Sequence, residues 1–219
     1  MKRSIAIVQT SAVSSQELKN LCAELLPGVE ATQIIDDSLI REVNQNGGPT
    51  VGVRRRLYAY FQQAESLGVD LILSQCSSVG EVVDDIRPFL ATPVLKIDEP
   101  MARKAVETGP RIGVIATVAT TVGPSVRLIE RMAREAGVAV RIEEHLVKDA
   151  MMILIERGDV KRHNEMVRGE VLRAAETNDV IVLAQGSMTV LLPELADVAK
   201  PVLSSPRLAV ERIRSLLLS

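Results

Sequence analysis

Two cysteines and two histidines in 219 residues leave few side chains able to do nucleophilic or acid–base work near neutral pH. Cys76 stands out among them. It lies in Leu71–Gly80, LILSQCSSVG, a stretch that begins as a buried strand and closes in a small polar turn. Gly80 and Glu81 lead into a predicted helix, Glu81–Leu90, and amides at a helix N-terminus favour the thiolate form of a nearby cysteine. A thiolate so placed can abstract a proton or add to an electrophile. The commoner fate of a lone cysteine is that of a small buried hydrophobe; the polar neighbours of Cys76 at the lip of its strand favour the chemical role. About 110 residues later the chain repeats the phrase as IVLAQGSMTV, Ile181 to Val190, with Gly186 in the cysteine's place.

The loops that should accompany Cys76 are small and hydroxylic. They are Thr10–Ser14 and Thr117–Thr121 after two first strands, and Cys76–Ser78 and Gly186–Met188 after two third strands. Hydroxyls and backbone N–H groups at helix starts are oriented donors for a carboxylate or a developing enolate. Thr10, Ser11, Ser77, Ser78, Thr117, Thr120, Gly186 and Ser187 are therefore candidate substrate-binding positions. For Thr117 and Thr120, turn and cap chemistry is an equally good account. Cys22 falls on the apolar face of a helix and reads as core. His145 and His163 read as surface or packing residues, and Arg54-Arg55-Arg56 as a solvated helix face rather than an anion clamp. Asp36-Asp37 and Asp98-Glu99 have the look of ordinary helix-starting acids. The cysteines form no CxxC pair and the histidines have no zinc-type spacing with them, so neither a disulfide nor a metal site is expected.

Positioning such loops requires strands that end beside helix starts. Short Ile/Val/Leu-rich runs, each followed by a helical pattern, are the signature of βα units on parallel sheets. They fall at Ile5–Gln9, Ala31–Ile35, Leu71–Ser74, Val94–Ile97, Ile112–Ala116, Ala139–Glu143, Val180–Ala184 and Val202–Ser204. Amphipathic helices are predicted at Ser14–Leu26, Arg54–Leu67 and Ser125–Ala136, closed by Gly28, Gly68 and Gly137. Asn44–Pro49, NQNGGP, reads as a flexible loop. The first strand recurs as Ile112–Thr117, Gln75-Cys76-Ser77 as Gln185-Gly186-Ser187, and Pro93-Val94-Leu95 as Pro201-Val202-Leu203, all at offsets of 107 to 110 residues. Matches in order at nearly constant offset predict two homologous α/β halves related by a pseudo-twofold, with the cleft between them lined by equivalent loops.

Composition narrows the ligand. The chain is 47% hydrophobic and 25% charged, with 26 basic against 28 acidic residues and a formal charge of −2. That balance gives no nucleic-acid footprint. Two Phe, two Tyr and no Trp leave little for stacking on bases or sugars, so hydroxyls, amides and charge are expected to bind a small polar substrate. The opening MKRSIAIVQT carries no signal-peptide apolar region, and no apolar stretch approaches the roughly 20 residues of a membrane span. No membrane association and a cytoplasmic location are the expectations.

Taken together, Cys76-Ser77-Ser78, in the place of a Cys-Asn-Thr motif, and Ala116-Thr117-Val118-Ala119-Thr120, close to a Gly-Thr-x-Ala-Thr motif, resemble the aspartate/glutamate/hydantoin racemase superfamily over the whole chain. The resemblance implies two four-stranded parallel lobes, 1–99 with 207–219 and 100–206, the final helix from Leu208 crossing back to the first. It implies no cofactor, a homo-oligomer, and a substrate α-proton held between two cysteines, one from each lobe. Here the second cysteine position reads as Gly186, which has no proton to give. The expectation is a cofactor-independent isomerase acting on a small carboxylate or carbonyl compound with Cys76 as base, acid or nucleophile. The alternatives are a single-cysteine decarboxylase of the arylmalonate type and a non-catalytic small-molecule-binding relative.

Overall fold

The computed structural model describes residues 3–218, apart from the side chains of Ile155 and Ser187. In chain order the elements are β1 (Ser4–Gln9), α1 (Ser15–Leu25), β2 (Glu30–Ile35), α2 (Ser38–Asn46), α3 (Val51–Ser66), β3 (Leu71–Ser74), α4 (Gly80–Ile86), β4 (Val94–Lys96) and α5 (Glu99–Thr108). There follow β5 (Arg111–Ala116), α6 (Ala119–Ala136), β6 (Arg141–Leu146), α7 (Ala150–Arg157), α8 (Val160–Thr177), β7 (Val180–Leu183), β8 (Val202–Ser204) and α9 (Ser205–Leu217). The chain divides into two compact units, Met1–Asp98 with Pro206–Ser219, and Glu99–Ser205.

Each unit holds one four-stranded parallel sheet, in the orders β2-β1-β3-β4 and β6-β5-β7-β8. A parallel sheet covered on both faces demands strands that are apolar throughout, and β3 (LILS) and β7 (VIVL) are buried at every position. In the first unit Ile5, Ile7, Leu71, Leu73, Leu95 and Ile97 pack with Leu18 and Cys22 of α1 and with Ala209, Val210 and Ile213 of α9. Ala6, Val8 and Ile72 point to the other face, against Leu39 and Val43 of α2, Val53, Leu57 and Phe61 of α3, and Val82 and Val83 of α4. In the second unit Ile115, Ile181 and Leu183 meet Val167, Val171 and Ala174 of α8 and Met188 and Leu191 beyond β7.

The two units repeat one device at the amino ends of their central strands. Asp70 accepts from the Ser4 amide at 2.8 Å and from Arg3 Nη1 at 2.6 Å, while Asp179 accepts from the Arg111 amide at 3.1 Å and from its guanidinium at 2.6 and 3.1 Å. The backbone amides of the same aspartates donate to Ser4 O and Arg111 O at 2.9 and 2.8 Å.

Three local expectations need correction. α2 runs on through Asn44–Asn46 and ends where Gly47 takes a left-handed φ of 68°, so the predicted loop starts later: Asn tolerates a last helical turn that a C′ glycine closes. β6 begins at Arg141, not Ala139, and reaches Leu146, because pairing with β5 rather than local apolarity sets its register. α6 begins at Ala119, with Pro124 as its sixth residue; the helix forgoes the bond that residue 124 would give to Thr120 O and runs on to Ala136, so Gly123-Pro124 is not a break. Among the described residues no helix is long and apolar enough to cross a membrane. Nor, among them, is any group of three or more His, Cys, Asp or Glu placed to hold a metal ion.

Candidate functional site

The parallel register pairs Val8 with Ser74 and Ser74 with Lys96. Two residues further along each strand, on the same face because side chains alternate, stand Thr10, Cys76 and Asp98. These three polar groups form a row at the carboxyl edge of the first sheet, where parallel α/β sheets place their ligands. Thr10 and Asp98 are buried and Cys76 is half-buried.

Cys76 has an extended backbone (φ −156°, ψ 117°) and caps a single 3-10 turn, Ser77–Val79, that runs into α4. Burial pushes the thiol up, the nearby Thr10 hydroxyl and Ser78 and Val79 amides pull it down, and the Asp98 charge adds an upward push. The net direction is up. The helix start is therefore present as expected, but the group it serves is held as a thiol, since desolvation and a like charge outweigh three donors. Behind the row, buried Lys96 donates to Asp84 Oδ2 at 2.7 Å and to Gly80 O at 3.4 Å, tying β4 to the first turn of α4.

The other predicted positions divide clearly. Ser78 is buried with its amide near the Cys76 sulfur, and Ser77 begins the turn, half-buried. Ser11 is taken up locally, its hydroxyl accepting from the Val13 amide at 3.2 Å. In the second unit Thr120 is half-buried in the first turn of α6. Thr117 does not present its donors openly: its amide at 2.6 Å and its hydroxyl at 3.1 Å, with the Val118 amide at 3.3 Å, converge on Oε1 of Gln185. Gly186 opens the 3-10 helix Gly186–Leu195 and its carbonyl accepts from the Thr189 hydroxyl at 2.6 Å. The Ser187 side chain lies outside the described residues. Cys22 is core, as expected, with burial pushing its thiol up to about 11. His163 is buried and His145 bonds Glu170 at 2.7 Å. Arg54 and Arg55 are exposed, whereas Arg56 is bound to Asp36, Ser38 and Glu42.

The assignment of the second cysteine position to Gly186 is overturned by the register. Asp70 N bonds Ser4 O where Asp179 N bonds Arg111 O; Ile72 N bonds Pro93 O where Ile181 N bonds Pro201 O; Gln75 N bonds Val8 O where Ala184 N bonds Ile115 O. Counting one residue on, the counterpart of Cys76 is Gln185. Both residues are extended and both cap a 3-10 segment, Gln185 with φ −138° and ψ 134°. The threonine that follows the first strand of each unit also stands by it, Thr10 near Cys76 and Thr117 bonded to Gln185. Sequence reasoning thus missed Gln185 and Lys96, and it named Asp98 only as a helix-starting acid, a place it does hold just before α5. The matched openings Asp70-Leu71-Ile72 and Asp179-Val180-Ile181 carried the signal for the first of these.

Two sheets of identical strand order, each followed at the same point by an extended residue that caps a 3-10 segment, define a duplicated parallel α/β fold with its polar groups at the carboxyl edges. The chain matches the model of the Asp/Glu/Hydantoin racemase family over residues 5–213 and belongs to that family. It is similar to a glutamate racemase of Picosynechococcus sp., 46% identical over 57 residues, a stretch covering 26% of this chain and only 20% of that relative's length. Its fold is similar to that of glutamate racemase from Thermus thermophilus in complex with beta-chloro-D-alanine, with a TM-score of 0.76 at 21% identity over 99% of this chain and 81% of the other. Allantoin racemase from Klebsiella pneumoniae superimposes with a TM-score of 0.73 at 18% identity over 99% and 88% of the two chains.

Proposed function

We propose that the protein is a cofactor-independent isomerase of small carboxylates or related carbonyl compounds that works by proton transfer at Cys76. The observation that carries this reading is the environment of the sulfur. It lies at the carboxyl edge of a parallel sheet in a chain of the racemase family, with the Thr10 hydroxyl and the Ser78 and Val79 amides near it favouring its anion. A thiol whose protonated form is favoured, yet whose anion is met by three donors, can both give a proton to an enolate and take one from an acidic C–H. In the forward step the thiolate form of Cys76 takes the α-proton, and the electron pair of the broken Cα–H bond stays on the substrate as the enolate. Once the S–H has exchanged with solvent, delivery of its proton to the same face gives exchange without inversion, and delivery to a different carbon gives isomerisation.

A second reading is favoured by Gln185 standing where a second cysteine would. A single thiol suits one-sided protonation, as after loss of CO2 from a 2-substituted malonate.

The test is incubation in D2O with aspartate, glutamate, hydantoins, 2-substituted malonates, hydroxy acids and maleate, followed by NMR, with Cys76→Ser as control. Deuterium incorporation that disappears in the variant is expected. Silence across the panel together with an ordinary alkylation rate at Cys76 would overturn the reading in favour of a binding protein.

A further inference from the structure

We propose that Gln185 is a substrate-recognising residue, whose side-chain Nε2 donates a hydrogen bond to a carboxylate or carbonyl oxygen of the substrate. The inference deepens the proposed function and rests on it for the class of ligand.

The geometry fixes the carboxamide. Two of the three groups around its outer end are backbone N–H donors, Thr117 N at 2.6 Å and Val118 N at 3.3 Å, and the third is the Thr117 hydroxyl at 3.1 Å. Amide donors can face only the oxygen, so the flip of the side chain is determined by its neighbours. The other end of the planar group, Nε2 with two N–H donors, has no hydrogen-bond partner among the described residues, and Gln185 is half-buried at the carboxyl edge of its sheet. An oriented donor at that edge suits the oxygen of a small anion.

The comparison with Cys76 says what this position does not do. Cys76 can carry and release a proton; a carboxamide gives up none near neutral pH and keeps both donors at every working pH. The family position that could have held a second thiol is therefore a fixed hydrogen-bond donor here and not a proton carrier. A carboxamide also discriminates by charge and polarity: an oxygen acceptor is matched, whereas an apolar group in its place would leave the donors unsatisfied.

Gln185→Glu tests this while preserving side-chain length and the bonds from Thr117 and Val118, because a carboxylate oxygen accepts as the amide oxygen does. The variant loses the donors and presents a negative charge. With a turned-over substrate identified in D2O, a KM at least about tenfold higher is expected, with kcat changed much less, tenfold being about 1.4 kcal/mol. Equal KM, or a fall confined to kcat, would overturn the proposal. A second measurement stands apart from turnover. In 15N-labelled wild type the Gln185 side-chain amide pair, assigned by its disappearance in Gln185→Glu, is followed during titration with aspartate, glutamate, 2-methylmalonate and 5-methylhydantoin. Movement of that pair supports the proposal even if no substrate reacts, in which case the catalytic reading alone has failed. Perturbation of the Thr10 and Cys76 signals with the Gln185 pair unmoved, or no perturbation by any of the four probes, overturns it.

Discussion

Replacing Thr10 and Asp98 one at a time should move the reactivity of Cys76 in opposite directions. The Thr10 hydroxyl stands near the sulfur and favours the thiolate, while the Asp98 carboxylate, next in the same row, disfavours it. Thr10→Val is nearly isosteric and removes one donor; a hydrogen bond to an ionised group is worth about 1.5 kcal/mol, so the thiolate population at pH 8 should fall roughly tenfold. Asp98→Asn removes a negative charge from the neighbouring strand. That charge is the weakest of the influences on the sulfur, so the thiolate population should rise by less than it falls in Thr10→Val. The assay is the pH dependence of carbamidomethylation by iodoacetamide, whose neutrality keeps the altered charge from biasing the reagent's approach. Peptide mass spectrometry separates Cys76 from Cys22, which is buried at 5% exposure and serves as the unreactive internal standard. Thr10→Val should shift the Cys76 rate profile to higher pH and Asp98→Asn to lower pH, with thermal melts verifying that both variants fold. Shifts of the same sign, or an unmoved profile for Asp98→Asn, would refute the account of the row.

Phe61→Ala should destabilise the protein by about 3–5 kcal/mol, since Phe61 is fully buried among Val53, Leu57 and Val83; the urea midpoint measures it, and a loss under 1 kcal/mol would mean the first unit is loosely packed. Burial would raise the Asp36 carboxyl, but bonds from Ser38, Tyr60 and Arg56 outweigh it and hold it below the usual range. Its contribution is thus fully present above the ordinary carboxylate value and is lost as pH falls through the depressed one. Asp36→Asn should accordingly cost stability at pH 7, with the gap to wild type narrowing on acidification; urea titrations at pH 7 and pH 2.5 that show an equal gap would place the effect in packing instead of charge.

Much of the fold was legible because parallel strands buried on both faces must be apolar runs, and runs such as LIL and VIVL allow no other placement. The repeat was legible too, but its fine alignment was not. Gln75-Cys76-Ser77 and Gln185-Gly186-Ser187 match as strings, whereas hydrogen bonds from Asp70 and Asp179 onward put Cys76 opposite Gln185. A shared glutamine outweighed a shared aspartate on the page, although the aspartate is the residue that fixes the strand by clasping its neighbour. The place of Lys96, and of Asp98 beyond a helix-starting role, was hidden for another reason. β4 has only three residues and ends at Lys96, two before Asp98, too few for alternation to show which face a buried charge would take. The thiol's direction of titration was likewise beyond sequence reasoning, since it is decided by a balance of burial, three donors and one carboxylate contributed by three separate strands and turns.

The closing helix gives the molecule a history as well as a shape. Ala209, Val210 and Ile213 of α9 complete the apolar cluster that Ile5, Ile7, Leu71 and Leu73 began. As the chain leaves the ribosome, the first unit is the first to be made and the last to be finished. Until residues 206–219 emerge, one face of its sheet, including Leu71 and Leu73 of the strand that leads to Cys76, lacks its final cover. The second unit, continuous from Glu99 to Ser205, has no such wait. A transcript that stops before residue 206 would therefore leave the first unit open, its uncovered leucines and isoleucines marking the product for disposal.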